Sequence, residues 1–294
     1  MNIRLEKELP LVTQKYGINE SCNLEEVLYA MESYANMYGI RFVYGSGRRK
    51  TEFQRDYDKL QEYKVKLEAY EESLGICGKR KSFSKTDTDA TFMRTKDDHM
   101  QNGQLKPCFN VQICVESEYI TGLGLFPNPA DTMTLIPFLK RVQKECGRKI
   151  QSVTADAGYA SEENYTYLEE NRQEAYIKPT DYEVRKTKRF KENIYRVENL
   201  LYDEEKDTFI CPNGKRLFCV GESREKTEIG YVTTKKNYVC ESCEGCPHRD
   251  KCYKAKEEAR RISVSQTMRC LKQEAAERIT TERGIILRQN RSIQ

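Results

Sequence analysis

Six of the twelve cysteines fall between Cys211 and Cys252, and four of them, Cys240, Cys243, Cys246 and Cys252, are separated by two, two and five residues. Thiolates two residues apart reach one ion across a tight turn, so the spacing predicts a tetrahedral structural Zn²⁺ site. Cys211, followed by Pro212, Asn213 and Gly214, is the substitute ligand, and His248 competes for a position. An iron–sulfur cluster has a similar rhythm, but the last spacing and Pro247 fit its usual run poorly. A reduced thiol cluster without metal is the third reading. Cys22, Cys77, Cys108, Cys114, Cys146 and Cys270 are scattered and read as small core residues.

A disulfide frame is not expected. The opening Asn2, Ile3, Arg4, Leu5, Glu6, Lys7, Glu8 is charged and lacks the apolar core of a signal peptide, which places the chain in the reducing cytoplasm. The longest apolar stretches, Gly122 to Phe126 and Gly284 to Leu287, fall far short of the roughly 20 residues that cross a bilayer. With 38% apolar and 33% charged residues, the 294-residue chain has enough to bury a core, and wholesale disorder is excluded.

Hydrophobic period then orders the chain. Asn23 and Glu26 form a capping box ahead of Leu24, Val27, Leu28, Met31 and Tyr34, which recur at helical spacing up to Gly39. Leu60, Tyr63, Leu67, Tyr70 and Leu74 predict a second, longer helix whose seam packs as a short coiled coil or hairpin. From Asn110 the period becomes two: Val111, Ile113 and Val115, a turn near Ser117, and Tyr119 to Phe126 predict a β-hairpin. Asp131 or Thr132 then caps a helix carrying Leu135, Phe138, Leu139 and Val142. A strand over 150–154, a helix over 162–168 and a strand over 175–177 complete an α/β pattern, in which loops at strand ends carry the chemistry.

Asp156 ends the first of those short strands and is followed by Ala157 and Gly158, small residues that let backbone or ligand come close. A carboxylate at a sheet rim suits Mg²⁺, which takes one or two protein carboxylates and completes its shell with water and phosphate oxygens. The competing reading is a simple strand exit.

Net charge is only +4, so contact with nucleic acid must rest on local patches. Lys178, Arg185, Lys186, Lys188, Arg189 and Lys191 cluster against Asp181 and Glu183 and are the leading phosphate-binding candidates, with a solvated loop as the alternative. Lys96, His99, Lys106, Arg260, Arg261, Arg288 and Arg291 are further candidates.

The segments "SKTDTDATFMRTKDDHMQNGQLKP" (84–107), "FNVQI" (109–113), "VTADAGYASEEN" (153–164), "CPNG" (211–214) and the cysteine group at 240–252 together resemble the DDE transposases of bacterial insertion sequences, in particular those with a cysteine-rich insertion. The resemblance runs from about residue 50 to Gln294. It departs from the family at Thr88, where Pro is usual, and at Cys108 with Phe109, where Gly-Tyr is common.

The resemblance implies an RNase H-like mixed sheet and Mg²⁺-dependent cleavage and strand transfer on DNA, both element ends and target. By match to "ADAGY", Asp156 is the second acid of the family's triad. The first Asp, on the opening strand of the fold, and the closing Glu match nothing in the chain. The expectation is an internal, incomplete piece, inactive alone, which works with a complementing transposase fragment or as a homo-oligomer near the nucleoid. The alternative is a non-catalytic DNA-binding or regulatory fragment. Asp87, Asp89, Glu116 and Asp131 are the other acids in range, each also readable as a turn former, cap or exposed strand residue. The resulting division is a helical arm or insertion over 1–80, an RNase H-like core over 81–200, a cysteine-rich zinc-binding insertion over 201–258, and a C-terminal strand and helix over 259–294 returning to the core.

Overall fold

The computed structural model describes residues 2–19, 21–95, 100–255 and 258–293; the candidates Lys96 and His99 lie outside the described residues. The chain is mixed α/β. It divides into two units, Met1–Phe92 and Met93–Gln294.

The first unit is helical: α1 (Asn2–Tyr16), α2 (Leu24–Met37) and α3 (Glu52–Cys77). The capping box starts α2, with Glu26 N–H donating to Asn23 Oδ1 at 2.9 Å and Asn23 N–H donating to the Glu26 carboxylate at 2.8 Å. Val27, Leu28 and Met31 of α2 bury against Phe53, Leu60 and Tyr63 of α3. The fully buried Gln54 bonds the backbone of Val43 through both ends of its amide, at 2.9 and 2.7 Å. The expected seam of α3 stops halfway: Tyr70 and Leu74 are 54% and 70% exposed. Length explains this, since α3 has 26 residues and α1 and α2 only 15 and 14, so its C-terminal turns outrun both partners. Asp87 is a turn former, its Oδ1 accepting from Asp89 N–H at 3.2 Å.

β1 (Thr91–Arg94) and β2 (Leu105–Cys108) form a two-stranded ribbon. The second unit continues with the predicted hairpin, β3 (Asn110–Glu116) and β4 (Tyr119–Phe126), in register Val111↔Leu125 and Ile113↔Leu123. Next come α4 (Leu135–Cys146), β5 (Ser152–Ala155), α5 (Glu162–Glu170) and β6 (Glu174–Ile177), with β5 and β6 parallel. Gly122 and Gly124 let α4 approach β4 closely, since a Cβ on Gly122 would lie 2.6 Å from Val142 Cγ2 and one on Gly124 would lie 3.0 Å from Phe138 Cδ2. Leu135 and Leu139 of α4 share a core with Val153, Leu168, Ala175 and Ile177.

A single mixed sheet is not what these strands form. They make two separate pairs, antiparallel β3–β4 and parallel β5–β6, with no ladder joining them among the described residues. Both pairs rest on α4, but no described strand lies hydrogen-bonded between them, so each keeps an edge of unpaired backbone groups.

After the short helices α6 (Tyr182–Lys186) and α7 (Lys188–Lys191), a five-stranded antiparallel sheet runs β7 (Leu201–Asp203), β8 (Thr208–Ile210), β9 (Arg216–Lys226) and β10 (Val232–Cys240). The single-turn helix α8 (Arg249–Cys252) follows, and β11 (Arg261–Val264) closes the sheet against β10. The strand expected to return to the core therefore belongs to the cysteine-bearing sheet, where Ile262 and Val264 pack with Phe209, Leu217 and Tyr238. The helices make the return instead. In α9 (Gln266–Arg278), Leu271 and Ala275 enter the core of α5 and β6, and α10 (Glu282–Ile293) lies along β5 and β6.

Candidate functional site

Asp156 stands at the C-terminal end of β5 with its side chain half exposed, at the rim where a strand-end carboxylate can meet a ligand. Its Oδ1 accepts from Gly158 N–H at 2.8 Å, which fixes the carboxylate at the head of the short 3₁₀ turn Ala157–Tyr159. Its Oδ2 lies 3.3 Å from Arg291 Nη2 on α10.

Asp131 does not cap α4. It opens a second 3₁₀ turn, Asp131–Met133, and Thr134 stands at the start of the helix. The Asp131 side chain turns instead to β3, where its Oδ1 accepts from Asn110 Nδ2 at 2.8 Å and Gln112 Nε2 at 3.3 Å. Gly158 brings it beside Asp156: a Cβ on Gly158 would lie 2.9 Å from both Asp131 Oδ2 and Asp156 Oδ1. Two carboxylates thus flank a bare Cα, in a cradle that any larger residue would fill.

The surroundings hold the two 3₁₀ turns together. Asn164, fully buried on α5, donates to Thr132 O at 3.1 Å and Tyr159 O at 2.8 Å. Tyr159 donates its hydroxyl to Gln112 Oε1 in a short contact. Burial, with the negative charges of Asp131 and Asp156 nearby, pushes the Tyr159 hydroxyl up to about 12, so it stays protonated and remains a donor at neutral pH.

The donor chemistry fits Mg²⁺, which needs no more than one or two protein carboxylates when phosphate and water complete its shell. Asp131 and Asp156 would hold it, and a bound Mg²⁺ would supply charge stabilisation at a phosphodiester. Among the described residues, no group of three or more His, Cys, Asp or Glu side chains is arranged to hold a metal ion. Glu116 pairs with Arg148, and so does not join Asp156.

The cysteine group is gathered but not converged. Cys211, Cys240, Cys243, Cys246, Cys252 and His248 all line one cavity of about 10 Å³, the room of roughly a single water. Burial pushes the Cys240 thiol up to about 12. Sulfur donors in this number suit Zn²⁺ in chemistry, although the side chains do not close a tetrahedron as they stand. His248 is held by Tyr195, whose hydroxyl lies 3.1 Å from Nδ1. Cys219, the sixth cysteine of this stretch, is exposed and apart from the cavity.

The basic segment is partly neutralised. Lys178 and Lys186 both pair with Glu183, Arg185 with Asp181 at 2.8 Å, and Lys188 with Glu192 at 3.7 Å. Arg189 and Lys191 on α7 have no carboxylate partner among the described residues. Arg260 is no phosphate contact: it is 5% exposed and faces the cysteine sulfurs.

An α/β unit with a carboxylate pair at a strand end and cationic side chains nearby is an arrangement suited to phosphate chemistry. Residues 210–294 match the family model described as Transposase DDE domain, in agreement with the resemblance of the chain's motifs. No curated protein and no solved structure gives a significant match. The matched segment contains the cysteine group, Arg260 and Arg291; Asp131 and Asp156 precede it.

Proposed function

We propose that this chain is part of the catalytic domain of an insertion-sequence DDE transposase, RNase H-like in architecture, acting on DNA phosphodiesters with Mg²⁺. Asp156 is the metal-holding acid, Asp131 stands beside it, and further acids come from polypeptide other than the described residues. The observation that carries this reading is the contact between Arg291 and Asp156, which joins the family-matched segment to the strand-end carboxylate. The split between β3–β4 and β5–β6 also supports it, since a further strand would find unpaired edges on both.

DNA contact through Arg189 and Lys191, and a structural Zn²⁺ on four of the five gathered cysteines, belong to the same proposal. The ligands are Cys240, Cys243, Cys246 and Cys252, with Cys211 as substitute. The zinc would clamp loops too short to build a core of their own.

Complementation tests the central reading. A separately supplied transposase fragment bearing the missing acids should restore Mg²⁺-dependent nicking of element-end DNA, and Asp156→Ala in this chain should abolish it. The second reading, a non-catalytic DNA-binding or regulatory fragment, is favoured by the lack of a third carboxylate in the described site. It predicts inhibition of intact transposase with no restored nicking.

A further inference from the structure

Arg260 precedes β11 and is almost entirely buried, at 5% exposure. Its guanidinium cannot lose its proton, so the charge is permanently inside. No carboxylate among the described residues pairs with it. Its donors go to Tyr195 O at 2.7 Å through Nη2 and to Cys252 Sγ at 3.0 Å through Nη1. The backbone N–H of the same residue points to Cys243 Sγ at 3.3 Å, and its carbonyl accepts from Cys240 N–H at 2.9 Å. One residue therefore touches three of the gathered cysteines.

A buried cation without a counter-anion is strongly unfavourable, and a neutral thiol is a weak acceptor that does little to offset it. Thiolate sulfur is an anion and a far better acceptor. Four thiolates around one Zn²⁺ leave the cluster with a net charge of about −2, which an adjacent guanidinium reduces. We propose that Arg260 is the counter-cation and positioning residue of the cysteine cluster, its buried guanidinium holding the Cys252 sulfur and its backbone N–H the Cys243 sulfur in place for Zn²⁺. This rests on the zinc reading given above and adds to it the residue that sets the charge of the site. Arg260 acts as a positioning residue, and it explains why a strongly basic side chain sits where DNA cannot reach it.

The test compares the full-length chain with Arg260→Met and Arg260→Lys by Co²⁺ titration, reading sulfur-to-cobalt charge-transfer absorption, and by Zn²⁺ affinity in chelator competition. The wild-type chain should bind one tetrahedral metal, Arg260→Met should lose about 10- to 100-fold in affinity, the range seen when partners of metal ligands are removed, and Arg260→Lys should keep most of it. If the wild type binds no metal, the zinc reading itself fails. If the wild type binds and Arg260→Met binds equally well, the counter-cation inference alone is overturned. Should Arg260→Met fail to give a cooperative thermal transition, Arg260→Lys decides: retained affinity supports the charge role, and loss as large as expected for Met contradicts it.

Discussion

Arg291 Nη2 lies 3.3 Å from Asp156 Oδ2, although 135 residues separate them in the chain. Both side chains are about half exposed, so the pair contributes only about 0.2–1 kcal/mol to stability. Its larger effect is on what else can reach Asp156. Arg291→Ala should leave the melting temperature nearly unchanged and raise divalent-cation affinity by up to about fivefold, the equivalent of about 1 kcal/mol, as measured by isothermal titration with Mn²⁺.

Gly158 is the residue that lets two carboxylates face each other. Its backbone conformation is open to any residue, but an added methyl would meet Asp131 and Asp156 at 2.9 Å each. Gly158→Ala should destabilise the chain by about 1–3 kcal/mol in urea unfolding and weaken cation binding, because the carboxylates must splay to admit it.

A second carboxylate offers a test of the cysteine-bearing sheet through pH. Asp207 Oδ1 accepts from Tyr202 and Tyr238 hydroxyls at 2.7 Å each, and its Oδ2 accepts from Lys236 Nζ at 2.8 Å. Those bonds, the Lys236 bond foremost, hold its carboxyl down at about 2. The folded form thus binds a proton less readily than the unfolded chain, where the ordinary value is about 3.9. The stabilisation is fully present above about pH 4 and is lost as pH falls toward 2. Asp207→Asn should cost about 1–3 kcal/mol at neutral pH and flatten the acid limb of the stability profile in that window, read by chemical denaturation from pH 7 to 2.

Arg189 and Lys191 should contribute to DNA affinity without sequence preference. Each change to Ala should weaken binding to unrelated duplexes alike and reduce the slope of log affinity against log salt by about 1, measured by fluorescence anisotropy at several salt concentrations. Lys188→Ala, which removes a residue already facing Glu192, should have the smaller effect.

Periodic elements were legible in the chain and long-range partnerships were not. The alternation from Val111 to Phe126 and the helical spacing of Leu135, Phe138, Leu139 and Val142 correspond to β3, β4 and α4; α4 buries its apolar positions, whereas Val111, Ile113, Leu123 and Leu125 of the hairpin are exposed. Asp156 stood out through the apolar strand before it and the small residues after it. In the sequence Asp131 reads equally as a helix cap or a candidate acid, whereas in the structure a 3₁₀ turn directs its carboxylate toward Asn110 and Gln112. The one local sign is Gly158, a position without a side chain two residues after the candidate acid. Arg260 looked like a phosphate ligand because a cation in a sequence does not reveal which sulfurs fold around it. The partner of Arg261–Val264 depended on pairing with Val232–Cys240, which short strands do not announce.

Binding of Mn²⁺ to the purified chain, followed by electron paramagnetic resonance for the wild type, Asp156→Asn, Asp131→Asn and the double variant, tests the site most directly. The account predicts one divalent ion per chain in the wild type, weaker binding in each single variant and none in the double variant, with the secondary structure unchanged by circular dichroism. Equal Mn²⁺ binding by the wild type and the double variant, or no binding by the wild type even with a phosphodiester oligonucleotide present, would contradict it.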